Sequence, residues 1–203
     1  MEDSTQTQGP LKTSDVDSGS RLLILGLGNL LCGDDGLGAL VAQRIAETRT
    51  IPEGVQVLDG GTLGLALLPY LEDAERAILV DAIAVDGPPG TLVRLEGDAV
   101  GPAVAARLSV HQVGVSDLIE AARWRGRVPP TLVLLGSVPE TIELGVGLSP
   151  RVQATFAALI DVVCEEAGRL GYPLEKRAGD DPSAVAPWSR TAGGGLPGLP
   201  SAD

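Results

Sequence analysis

The sequence is short of cysteine, of positive charge and of long apolar runs, and it holds a single histidine. Its two cysteines, Cys32 and Cys164, lie far apart and outside any C-x-x-C spacing. That excludes a disulfide framework and a cysteine-built zinc cluster, and it fits a reducing, cytoplasmic compartment. Fifteen Lys and Arg against 27 Asp and Glu leave a formal net charge of -12. Nucleic acid and anionic membrane surfaces are therefore poor partners, because affinity for either comes from Lys and Arg. Charges or glycines interrupt every apolar segment before it reaches the length of a membrane span. Residues 1–20 lack the apolar region of a secretory signal. Ser137, in LGSVPE, has no G-x-S-x-G elbow around it, which argues against a serine hydrolase.

What remains is one domain with two biased ends. A chain of 203 residues can bury one good core but not two comfortable ones. The acidic, polar residues 1–20 and the Pro-, Gly-, Ala- and Ser-rich residues 173–203 have little to bury and are expected to be disordered tails. The folded unit is expected over residues 21–172, as an economical monomer. Within it, apolar strand-like runs (LLIL, VQVLD, RAILVDA, TLVRLE, TLVLLG) alternate with helical patterns, including 111–124 and 149–170. Such alternation predicts an α/β layered fold with a mostly parallel sheet covered on both faces. TLVRLE follows the turn-forming GPPG and is expected to pair antiparallel.

The stretch RLLILGLGNLLCGDDGLGALVAQRI joins a strand to an amphipathic helix through a glycine-rich loop, and Gly26, Gly28 and the later Asp59 imitate a dinucleotide fingerprint. The imitation stops at Leu31, where the third glycine of G-x-G-x-x-G would allow helix and strand to approach. Two fixed aspartates also stand where a pyrophosphate would sit. Asp34 reads as a cap for the following helix.

In open α/β sheets the site lies beyond the carboxyl ends of the strands. Asp34 and Asp35 follow the first strand, Asp59 closes the second and Asp81 ends the third. His111 opens a helix, where the dipole keeps an imidazole neutral and able to bind metal. Asp81 follows four apolar residues, so its carboxylate is expected to be partly buried and to need a cation or donors. One imidazole with two carboxylates suits a divalent transition metal, but it also suits a hydrogen-bonded structural cluster. Asp59, followed by two glycines, reads equally as a turn residue or a catalytic one.

The motifs GLGNLLCGDDGLG, LDGGTLG, ILVDAI, SVHQVGVSDLI and LLGSVPE, in this order, resemble those of the hydrogenase maturation endopeptidases. The resemblance implies a three-layer α/β/α sandwich. It also implies an endopeptidase that removes a C-terminal peptide from the large-subunit precursor of a nickel-iron hydrogenase once nickel is in place. By position it makes Asp35, Asp81 and His111 the nickel-contacting set, with the nickel supplied by the precursor and Asp35 or Asp59 as candidate general base. Two other readings stand beside it. A peptidyl-tRNA hydrolase shares the GLGN loop, although the acidic charge and the absence of Pro after Asn29 oppose it. A non-catalytic chaperone could read the metal with the same residues.

Overall fold

The computed structural model describes residues 21–101 and 115–177. His111 and both expected tails, apart from residues 173–177, lie outside them. In chain order the elements are β1 (Leu22–Leu27), α1 (Leu37–Thr48), β2 (Arg49–Thr50), β3 (Val55–Gly61), α2 (Leu68–Asp73) and β4 (Arg76–Ala82). They continue with β5 (Leu92–Glu96), α3 (Val115–Trp124), β6 (Thr131–Ser137), α4 (Pro150–Arg169) and β7 (Glu175–Lys176).

Five strands form one sheet in the order β3-β1-β4-β6-β5. β3, β1, β4 and β6 run parallel, and β5 pairs antiparallel with β6, as its GPPG turn predicts. The three inner strands are apolar because they are buried on both faces. Leu23 and Leu25 of β1 pack with Leu71 of α2 and with Leu118 and Ile119 of α3. Leu22 and Ile24, pointing the other way, pack with Val41 of α1 and Val163 of α4. Two helical layers thus sandwich the sheet, in agreement with the α/β/α expectation.

Glycine does bring helix and strand together, but not at Leu31, which lies in the loop with its side chain exposed. The contact falls between Gly26 in β1 and Gly38 in the first turn of α1. A Cβ on Gly38 would stand 2.0 Å from the Val80 carbonyl oxygen and 2.5 Å from that of Leu27. One on Gly26 would stand 2.1 Å from the Gly38 carbonyl oxygen. The pair seats α1 on β1 and β4 and so fixes where the preceding loop emerges.

On the far edge, Arg94 of β5 donates from Nε at 3.1 Å and from its NH2 group at 2.8 Å to the two oxygens of Glu166 in α4. Arg169 adds a third bond at 3.0 Å. These bonds, the Arg94 ones foremost, hold the buried Glu166 carboxyl below the usual carboxylate range despite its burial, and they raise the Arg94 guanidinium. The regular structure also continues past residue 172: Glu175 and Lys176 pair with Thr50 and Arg49. Strands of two residues carry no periodicity, so composition alone stops short of this pairing. Among the described residues no helix is long and apolar enough to cross a membrane.

Candidate active site

β1 runs out at Leu27, and Gly28 turns the chain with φ at +116°, a conformation that excludes ordinary side chains. Space excludes them as well: a Cβ there would lie 1.7 Å from the Asp35 carbonyl oxygen and 3.6 Å from Asp81 Oδ1. Asp35 sits in a single 3-10 turn, Gly33–Gly36, that leads into α1. Its Oδ2 accepts from the Asn29 N–H at 2.8 Å. Asp81 is one residue from the end of β4, and its Oδ1 accepts from the Ala82 N–H at 2.8 Å. Both carboxylates are buried. They reach the Gly28–Asn29 turn from different elements, Asp35 from the 3-10 turn before α1 and Asp81 from the end of β4. Two buried acids at one turn form an environment that a cation would stabilise.

Asp34 does not cap α1. The residue preceding that helix is Gly36, which makes no side-chain bond, and the bonds of the Asp34 carboxylate go elsewhere. Its fully buried carboxylate accepts from three backbone N–H groups of the loop after β6: Glu140 at 2.8 Å, Thr141 at 3.1 Å and Ser149 at 2.7 Å. The two loops are joined by backbone bonds too. Gly33 N–H donates to the Gly145 carbonyl at 2.8 Å, and Gly145 N–H donates to that of Leu31 at the same distance. The acid fills a gap between loops that are distant in sequence, which is why cap chemistry suggested another partner. A shallow cleft of about 700 Å³ opens beside these loops, lined by Ala84, Val85, Asp86, Val138 and Pro139.

Asp59 stands apart, exposed on the edge strand β3. Its Oδ1 accepts from Gly61 N–H at 3.0 Å, the turn bond that its following glycines suggest, and its Oδ2 accepts from Gln43 Nε2 at 2.7 Å. His111 is outside the described residues, so the structure brings together Asp35 and Asp81 of the expected set. Among the described residues no three His, Cys, Asp or Glu side chains gather closely enough to hold a metal. Cys164 lies half-buried against the core. Burial pushes its thiol upward, with Arg49 opposing.

The chain has counterparts among known proteins. The family model described as hydrogenase maturation protease, HycI, matches residues 39–166. The chain belongs to the hydrogenase maturation protease family.

Among its relatives, a hydrogenase expression/formation protein HupD of Rhodobacter capsulatus is 42% identical over 160 residues, covering 78% of this chain and 76% of the relative. The hydrogenase 2 maturation protease of Escherichia coli K12 is 34% identical over 159 residues, covering 76% of this chain and 97% of its own. The solved structure of the hydrogenase maturating endopeptidase HybD from E. coli superposes with a TM-score of 0.74 at 31% identity, over 79% of this chain and 99% of that one. A hydrogenase maturation protease of that size is therefore contained almost whole in this fold. The paired-aspartate loop that looked like a damaged nucleotide fingerprint thus sits in a chain of a peptidase family.

Proposed function

We propose that this chain is a cytoplasmic, monomeric endopeptidase that removes a C-terminal peptide from the large-subunit precursor of a nickel-iron hydrogenase, after nickel has been inserted into that precursor. Family membership supports the peptidase class and the kind of partner. The observation that carries the nickel-reading part is the pair of buried carboxylates, Asp35 and Asp81, at the Gly28–Asn29 turn, which follows β1 beside the last residues of β4.

In this reading Asp35, Asp81 and His111 would complete the coordination of a nickel ion already held by cysteines of the precursor. Nickel so placed would polarise a carbonyl or lower the pKa of water. The chain's own contribution is positional: the Asn29 N–H orients Asp35, the Ala82 N–H orients Asp81, and the Gly26–Gly38 contact fixes the loop between them. Fixed positioning of reactants can itself supply about 7 kcal/mol or more of barrier reduction. Both acids considered as general base already accept hydrogen bonds, Asp35 from Asn29 and Asp59 from Gly61 and Gln43.

The test is the mass of a purified, nickel-loaded precursor after incubation with wild type, Asp81→Asn and His111→Ala. Wild type should release the C-terminal peptide, and both variants should leave the precursor intact while keeping the wild-type far-UV CD spectrum. Unchanged cleavage by a folded His111→Ala variant would refute the assignment. Wild type that binds the precursor without shortening it would favour the chaperone reading.

A further inference from the structure

The loop after β6 exposes more apolar surface than its own packing explains. Leu144 is 88% exposed, Val146 72% and Ile142 48%, and beside them the β1–α1 loop exposes Leu31 at 58% and Leu30 at 37%. The hydrogen bonds between Gly145 and residues 31 and 33 set the two apolar stretches side by side. Lone surface leucines are ordinary; a cluster of this kind, rimmed by polar groups, marks an interaction site. It is also held still. Asp34 fixes three backbone N–H groups of the loop, so binding to it loses little conformational entropy.

Charge selects the occupant. Of the acids in residues 29–36 and 139–149, Asp34 and Asp35 are buried and Glu140 lies 3.3 Å from Arg151, which leaves Glu143 as the exposed charge of the patch, on a chain whose net charge is -12. A second copy of this chain facing itself across the patch would bring like charges together, at a cost. Nucleic acid would be repelled. The surface fits a protein segment that is apolar at its centre and carries Lys or Arg at its flanks.

We propose that this two-loop surface is where the hydrogenase large-subunit precursor docks, through an apolar segment with basic flanks. The inference rests on the protease reading for the identity of the partner. Docking here would bring the precursor to the turn that holds Asp35, because Asp34 and Asp35 are consecutive.

The test uses the full-length protein and immobilised nickel-loaded precursor, with binding followed by biolayer interferometry and cleavage by mass. A Leu144→Ala, Val146→Ala double variant, altered only at exposed positions, should weaken binding tenfold or more and raise KM in proportion, with kcat kept at saturating precursor. Trp124→Ala, a 92% exposed residue at the end of α3, should change neither. Added salt should weaken wild-type binding, in keeping with a basic-flanked partner. A double variant that binds within twofold of wild type overturns the docking surface. Wild type that binds but releases no peptide overturns the protease reading and leaves the surface standing.

Discussion

Asp34→Asn should destabilise the protein far more than its near-identical shape suggests. The wild-type carboxylate divides its bonds: Oδ2 accepts from Glu140 and Thr141, and Oδ1 from Ser149. Asparagine has one carbonyl oxygen. Turned toward Glu140 and Thr141, it keeps two bonds and points its NH2 group at the Ser149 N–H, donor against donor. One charge-assisted bond is lost, at about 1.5–3 kcal/mol, and the two that remain become neutral and weaker. The expected total is about 2–4 kcal/mol, which for a domain of this size lowers Tm by about 5–12 °C. Urea unfolding followed by far-UV CD measures the loss. Hydrogen exchange locates it, because the amides of Glu140, Thr141 and Ser149 should lose protection before the β1 amides do. A variant within 0.5 kcal/mol of wild type (about the scatter of an ordinary surface substitution), with the same denaturant slope, would refute the clamp.

Three further outcomes follow from the fold. Glu166 titrates below the ordinary carboxylate range in the folded state, so its contribution to stability is complete above its unfolded pKa, about 4.3, and disappears as pH falls through the folded value. Glu166→Gln should therefore lower the urea midpoint at pH 7 and narrow its gap to wild type at pH 3; a gap independent of pH would contradict the linkage. Gly38→Ala, which in an exposed helix interior would stabilise by roughly 0.5–1 kcal/mol, should instead destabilise, because the added carbon meets the Val80 carbonyl; thermal melts give the sign. Cys164 should react with iodoacetamide more slowly in the folded protein than in urea at the same pH, since burial raises its thiol, and peptide mass mapping would show equal rates if it did not.

The sheet was legible in the sequence because its inner strands are buried on both faces. RAILVDA and TLVLLG are continuous apolar runs, and the structure places strands on them almost residue for residue. Asp81 was legible for the same reason: an acid closing such a run has nowhere to go but the strand's end. The turn role of Asp59 was visible in its two following glycines. The Asp34 clamp was not visible, since its partners lie 106, 107 and 115 residues away and are backbone groups, which carry no residue-type signal. The helix–strand contact through Gly26 and Gly38 was hidden differently: the familiar glycine pattern pointed to Leu31, whereas the glycine that matters comes seven residues later, inside the helix. The two-residue pairing of β2 with β7 is too short for any periodic pattern.

The span closed by Asp34 also sets an order of assembly. During synthesis the paired-aspartate loop leaves the ribosome more than a hundred residues before the backbone groups that satisfy it. At roughly 5–20 residues per second, the nascent chain carries that acid without its partners for roughly 5–20 s, until β6 and the loop beyond it are made. β4, the central strand, likewise waits for β6 before both its edges are paired. The turn that holds Asp35 thus takes its final shape late, and a chain truncated before residue 140 would keep the acids while lacking the groups that orient the loop around them.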